Sequence, residues 1–328
     1  MVGAHLLYKL LMQQREVRAL LRDGSKLDEV RRIFSFYGDD AVNLMDRIEW
    51  VRGDVSDYYS VVDALAGVEK VFHCAGYVNF DPRFRKQMYQ INEEGTANVV
   101  NACLEMHVSK ICYVSSIATL GSSLNGNLTN EMDAWQENES HSHYSISKFR
   151  AEMEIWRGIR EGVPAVIVNP GVIIGPGSPA RSSGLLFDAA RKGMKYYTSG
   201  GTGYVDVRDV VDAMIRLMDS DIVDERYVLV SANKSFHWAL TSICNALGVN
   251  EPSKLASARL TSFAWRLDAV RAFFTQTPPR FTRENARTSH SVSNYSAEKF
   301  ITAFNYQFIP IEQSIVDAAG WMKREYRW

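Results

Sequence analysis

Cysteine is scarce, with four in 328 residues: Cys74, Cys103, Cys112 and Cys244. No two form a C-x-x-C pair, which argues against a zinc knuckle or a disulfide scaffold. Reduced thiols in a cytoplasmic protein are the expected state. A charge excess is lacking too. Lys+Arg number 37 against 38 Asp+Glu, a net charge of -1, so the basic surplus of a general nucleic-acid-binding surface is excluded. No apolar run reaches the roughly 18 residues of a membrane span. The N-terminus has no basic stretch leading into an apolar core, as a signal peptide would. Internal repeats and low-complexity segments are also missing. What is present is ordinary for a globular chain, 46% hydrophobic and 23% charged. Its length suits one large domain or two modules with a core that needs no staples.

Short apolar runs recur at Val17 to Leu21, Val71 to Cys74, Ile111 to Val114, Ala165 to Val168 and Tyr227 to Val230. Rich in β-branched and aromatic residues, they read as strands buried on both faces of a parallel sheet. Helical spacing separates them, as in Leu6, Leu7, Leu10 and Leu11, in Thr96, Val99, Val100 and Cys103, and in Val210, Val211, Met214, Ile215 and Met218. The alternation predicts an α/β fold with a doubly wound parallel sheet. After about Ala232 helical segments dominate, with a break at Thr277-Pro278-Pro279-Arg280.

A doubly wound sheet normally opens on a strand and a Gly-rich turn whose N–H groups hold a pyrophosphate. This chain opens on Met1-Val2-Gly3-Ala4-His5, which reads as the end of such a turn. Gly3 is then the glycine that allows close helix–strand packing. The expectation is that one strand and its turn, roughly a dozen residues, precede Met1; the other reading is a helix that is simply N-terminal. Ser199-Gly200-Gly201-Thr202-Gly203 mimics a phosphate loop but has no helix after it, and reads as a flexible turn.

The chemistry concentrates in Tyr144-Ser145-Ile146-Ser147-Lys148. Tyrosine and lysine at i and i+4 point the same way on a helix. A nearby ammonium lowers a phenol's pKa toward use as a proton donor and acceptor. Ser116 ends a buried strand at the sheet edge where ligands bind and is placed to hydrogen-bond a reacting oxygen. Asn169 to Gly177 forms a turn at the same edge. His141-Ser142-His143 offers two histidines without a third ligand, so no metal is expected and a polar loop at the cleft rim is read. His73, inside a strand, reads as a satisfied core histidine.

Taken in order, Gly53-Asp54-Val55, His73 to Gly76, Asn92 to Thr96, Ser115-Ser116, Tyr144 to Lys148, Pro170-Gly171 and Tyr204 to Val210 carry a resemblance. The chain resembles the extended short-chain dehydrogenase/reductase superfamily, which includes the NAD-dependent epimerases and dehydratases. The branch it looks most like is that of dihydroflavonol-4-reductase-like and 3β-hydroxysteroid-dehydrogenase-like proteins. The resemblance implies a Rossmann-like unit of residues 1–172, rejoined by 204–232. It implies a smaller, mainly helical substrate-binding part of 173–203 and 233–328. Tyr144 would be general acid/base, Lys148 would bond the nicotinamide ribose and tune Tyr144, and Ser116 would polarise the substrate. Asp54 and Val55 would meet the adenine, Ala75 and Gly76 the ribose and phosphates, and Pro170 and Val172 the nicotinamide. Asn92 would support the site. Members often pair as homodimers through the helices that begin near Asn92 and Tyr144.

The strand that usually ends in an acid for the NAD ribose ends here in Leu21-Arg22. A guanidinium suits a 2′-phosphate, assisted by Ser25 or Lys26, so NADP is favoured over NAD; Asp23 keeps the NAD reading open. Ile117-Ala118 stand where dehydratases carry an acidic pair. The leading expectation is therefore redox chemistry of a carbonyl or alcohol on a small, apolar molecule. The alternatives are a nucleotide-sugar epimerase retaining NAD and a non-enzymatic dinucleotide sensor. Residues 255–274 hold Leu260, Phe263, Trp265, Leu267, Val270, Phe273 and Phe274. Packing on the sheet, a substrate lid and a membrane-surface helix are the three readings of that segment.

Overall fold

A computed structural model describes residues 1–22, 27–79, 81–123, 128–137, 141–275, 277, 279 and 281–328, with the side chain of Phe273 outside the description. The first half runs α1 (Val2–Met12), β1 (Val17–Leu21), α2 (Leu27–Ser35), β2 (Ile48–Arg52), α3 (Tyr58–Leu65), β3 (Lys70–His73), α4 (Arg85–Tyr89), α5 (Gly95–Glu105), β4 (Lys110–Val114) and α6 (His143–Glu161). Then follow β5 (Ala165–Pro170), β6 (Val172–Ile174), α7 (Gly184–Arg191), β7 (Tyr196–Tyr197), β8 (Gly201–Asp206), α8 (Val207–Asp219) and β9 (Glu225–Leu229). The rest is β10 (Ala232–Ser235), α9 (Phe236–Leu247), β11 (Lys254–Leu255), α10 (Ala258–Thr275), α11 (Arg283–Thr288), α12 (Glu298–Phe304) and α13 (Ile311–Tyr326).

The fold is α/β with parallel strands and helices on both faces. The main sheet has the order β3-β4-β5-β9, all parallel, and β1 pairs with β2 in a separate parallel sheet. The two-residue period of a strand divides its side chains between two cores. Cys112, Val166 and Val168 face Leu6, Leu10 and Met214, from α1 and α8. Ile111, Tyr113 and Ile167 face Val99, Cys103 and Ile155, from α5 and α6. Each fully buried aliphatic side chain contributes about 1.5–3 kcal/mol. A third core joins Phe187, Tyr204, Ile243 and Trp321, from α7, β8, α9 and α13.

Helix α6 has clear stops. The Ser142 hydroxyl accepts from the Ser145 N–H at 2.9 Å, and Gly162 closes the helix at φ 109°, in the left-handed region. Its approach to α5 is close, because a Cβ on Gly158 would lie 2.6 Å from Val100 Cγ1.

Two sequence readings are corrected. Ser199 to Gly203 is not a flexible turn. Gly201 begins strand β8, which pairs with β6 and β10, and a Cβ on Gly200 would lie 2.6 Å from the Ser289 and Ser291 carbonyl oxygens. These glycines admit backbone neighbours rather than phosphate. Helix α10 does not pack its apolar side on the sheet: Leu260, Phe263, Leu267, Val270 and Phe274 are all exposed. Pro278 and Arg280, part of the expected break, lie outside the described residues. No described helix is long and apolar enough to cross a membrane.

Candidate active site

Strands β3, β4 and β5 run parallel, so their C-terminal ends share one sheet edge. Past those ends come Cys74 to Gly76, Ser115 and Ser116, and the Gly171 turn. Helix α6 brings Tyr144 in its first turn and Lys148 one turn later. The Ser116 hydroxyl is hydrogen-bonded to the Tyr144 phenol. Ser116 Oγ also accepts from the Ala118 N–H at 3.2 Å and so caps the short turn Ile117–Thr119. Burial raises the pKa of Tyr144, and the Ser116 bond opposes that rise.

Lys148 is fully enclosed. Its Nζ donates to Tyr113 Oη at 2.5 Å and to the Val114 carbonyl at 2.9 Å, and lies 4.3 Å from the centre of the Tyr113 ring. Burial lowers its pKa to about 7, against the pull of the Glu152 carboxylate. The sequence reading has Lys148 lowering the Tyr144 pKa. Here Tyr113 and Val114 hold the ammonium, and the Tyr144 pKa is raised.

Tyr113 was not foreseen, nor was what lies beneath it. Its ring stacks on His73 with centroids 5.2 Å apart. Thr96 Oγ1 donates to the Asn92 carbonyl at 2.6 Å, so His73 Nε2–H donates to Thr96 Oγ1, 2.9 Å away. Burial lowers the His73 pKa to about 3, which keeps the ring neutral. A core histidine with its bond satisfied is what the sequence led us to expect. Asn92 lies in a π-helical turn, Gln90–Glu94. From there its Oδ1 accepts from the Tyr77 N–H at 2.7 Å, and its Nδ2 donates to the Tyr77 carbonyl at 2.9 Å and to Ser147 Oγ at 3.0 Å. It thereby ties the turn after β3 to the helix that carries Tyr144 and Lys148.

Glu152, one more turn along α6, is fully buried. Its Oε2 accepts from Ser115 Oγ at 2.5 Å, Thr119 Oγ1 at 2.8 Å and Asn169 Nδ2 at 2.9 Å. Its Oε1 pairs with Arg226 at 3.1 Å. One carboxylate thus holds both ends of the Ser116 turn, the end of β5 and strand β9. The signal in the sequence was the i, i+4, i+8 series Tyr144, Lys148, Glu152.

The remaining candidates lie along the same edge. Gly3, in the first turn of α1, faces Cys74; a Cβ there would meet Cys74 Cβ at 3.7 Å, an ordinary contact, so packing alone does not demand glycine. Helix α1 has no side-chain cap at its start. His5 binds it to the neighbouring loop, with Nε2 donating to the Pro176 carbonyl at 2.9 Å and Nδ1 meeting the Tyr37 hydroxyl at 2.6 Å. A Cβ on Gly76 would meet Asn92 Oδ1 at 3.8 Å, an ordinary contact, so packing alone does not demand glycine there either. Arg22, just past β1, sits 3.8 Å from Asp54, just past β2. Val55 is buried in the α5–α6 core. Pro170 ends β5 and Val172 begins β6; between them a Cβ on Gly171 would strike the Gly203 carbonyl at 2.5 Å. Asp23, Ser25 and Lys26 lie outside the described residues. Among the described residues no group of three His, Cys, Asp or Glu is placed to hold an ion.

The family model described as "Male sterility protein", an NAD-binding family, matches residues 1–225. A "Putative dihydroflavonol 4-reductase" of Synechocystis sp. is 26% identical, over 98% of this chain and 92% of its own. "Sterol demethylase protein B" of Methylococcus capsulatus is 25% identical, over 98% and 95%. Among solved structures, gox2253 aligns with a TM-score of 0.80 and 28% identity, over 100% of this chain and 96% of its own. The Thermus thermophilus UDP-glucose 4-epimerase bound to NAD aligns with a TM-score of 0.72 at 17% identity, over 98% and 96%, a likeness of fold alone.

Proposed function

The chain belongs to the male sterility protein family and to the extended short-chain dehydrogenases/reductases, NAD(P)-dependent enzymes, and from that premise we propose that it is an NADP-dependent reductase of a carbonyl on a small apolar molecule. The observation that carries this reading is the Ser116–Tyr144 hydrogen bond at the C-terminal edge of the sheet. It brings two hydroxyls side by side, so that a substrate oxygen would accept from Tyr144 and, once the Ser116 O–H turns from the phenol, from Ser116 as well.

The residues present fit a dinucleotide. Arg22 is an exposed guanidinium for a 2′-phosphate, and Asp54 and Val55 flank the adenine place. The first turn of α1, with Gly3, and the turn at Ala75 and Gly76 would hold the phosphates. Lys148, Pro170 and Val172 border the nicotinamide place. When bound, the nicotinamide would supply the hydride to the carbonyl carbon. Tyr144 gives its proton to the carbonyl oxygen, while the Ser116 O–H holds that oxygen in position. Lys148 stabilises the resulting phenolate once its ammonium turns from Tyr113 toward Tyr144. The apolar substrate class is supported by relatives named for sterols and steroids.

The test is oxidation of NADPH and of NADH by the full chain over a panel of ketones and aldehydes. The reading expects turnover of an apolar carbonyl with NADPH preferred. Retained NAD with no net turnover, and interconversion of a nucleotide sugar, would replace it with the epimerase reading.

A further inference from the structure

Helix α10 presents its apolar residues to solvent. Leu260, Phe263, Leu267, Val270 and Phe274 follow the i, i+3, i+4 spacing of a single helix face. Phe263 is 59% exposed, Leu267 55% and Phe274 78%. At the usual rise per residue the stripe extends about 21 Å. The far side of the helix is anchored. Thr261 Oγ1 and His290 Nε2 lie 3.0 Å apart, and Asp268 accepts from the Phe281 N–H at 2.9 Å. The helix is therefore held in place by one side with its apolar side outward. A contiguous exposed stripe of this kind marks an interaction surface.

Charge selects the partner. From Lys254 to Arg287 there are seven Lys and Arg against two acids, Asp268 and Glu284, in a chain whose net charge is -1. Arg259 and Arg266 are exposed on the flank of the stripe. A second copy, docked by two-fold symmetry, would set these cations against their own equivalents. A bilayer with anionic headgroups matches the stripe and the cations together. We infer that α10 is an interfacial helix that seats this protein on an anionic lipid surface, with the stripe sunk among the headgroups and Arg259 and Arg266 on the phosphates. The helix lies in the surface and does not cross it.

The seat is joined to the active site. Glu284, on α11, accepts from the His143 N–H at 2.5 Å, one residue before Tyr144. On the proposed function, an apolar substrate then reaches Tyr144 from the bilayer side; this consequence rests on that function, whereas the seating does not.

The test is flotation of the full chain with phosphatidylcholine vesicles, with and without phosphatidylglycerol. The wild-type chain should float with the anionic vesicles and be released by high salt. The Phe263→Ser/Leu267→Ser variant should bind about tenfold more weakly or worse. The Arg259→Gln/Arg266→Gln variant should fall toward the level seen with neutral vesicles. Both should keep wild-type melting temperatures and reductase activity, because none of these side chains belongs to the core or the site. Failure of the wild-type chain to float with anionic vesicles would overturn the inference, as would equal flotation of the wild-type and Phe263→Ser/Leu267→Ser chains. A dimer abolished by Phe263→Ser/Leu267→Ser, without flotation, would assign the stripe to a second copy instead. Activity plays no part in the flotation result, so loss of the reductase reading would leave it intact.

Discussion

Replacing Glu152 by Gln should loosen the site from beneath. The carboxylate accepts from Ser115, Thr119 and Asn169 and pairs with Arg226, whose side chain is 16% exposed. A glutamine carbonyl can keep one or two of those bonds, but its NH2 group cannot accept from the others. Arg226 loses its counter-charge, although it still donates to the Glu131 carbonyl. Breaking a buried ion pair on one side costs about 3–5 kcal/mol. For 328 residues the entropy of unfolding is about 0.7 kcal/mol per degree, which turns that cost into a drop of about 4–7 °C in Tm. Scanning calorimetry reads the drop. The Ser116 turn hangs from the same carboxylate, so kcat should fall more than KM rises. Adding Arg226→Met should recover part of the Tm, since the stranded cation goes with it. A Tm for Glu152→Gln within a degree of wild type would refute the reasoning.

Arg22→Ala should raise the KM for NADPH about tenfold or more and barely move that for NADH; equal effects on both would remove Arg22 from the 2′-phosphate site. Asp209→Asn should flatten a pH dependence of stability. Burial raises the Asp209 pKa to about 7, against bonds from the Tyr306 hydroxyl and the Ile309 N–H. A raised native pKa gives stability that is complete below the unfolded value near 4 and is lost as pH climbs to about 7, by up to about 4 kcal/mol. Melting curves from pH 4 to 8 read this window, and an unchanged slope in the variant would place the titration elsewhere. Gly171→Ala should cost about 1–3 kcal/mol, because its Cβ would strike the Gly203 carbonyl; a wild-type Tm would show that the turn can shift.

The main sheet was legible because β3, β4, β5 and β9 lie between two layers of helices and so read as short, nearly continuous apolar runs. Strand β2 escaped notice: in Ile48-Glu49-Trp50-Val51-Arg52 the charged Glu49 and Arg52 break the apolar run, and among the described residues it pairs only with β1. In β8, glycines that suggested a flexible turn serve close backbone packing. Ser116, Tyr144 and Lys148 were legible from spacing and from resemblance. Glu152 and Tyr113 were not, since a glutamate on a helix is usually solvated and a strand tyrosine is usually core. What gives them a part is the point where β4 meets α6, a contact between segments about thirty residues apart in sequence. The apolar spacing of α10 was visible as well, but spacing does not tell a face turned inward from one turned outward.

The central claim is that Tyr144 supplies the proton. The most direct measurement sets turnover of Tyr144→Phe beside its NADPH affinity by calorimetry. The account predicts that turnover falls by a factor of about 100 or more, while the affinity stays near wild type, because the lost hydroxyl faces the substrate. Turnover at the wild-type level would contradict it.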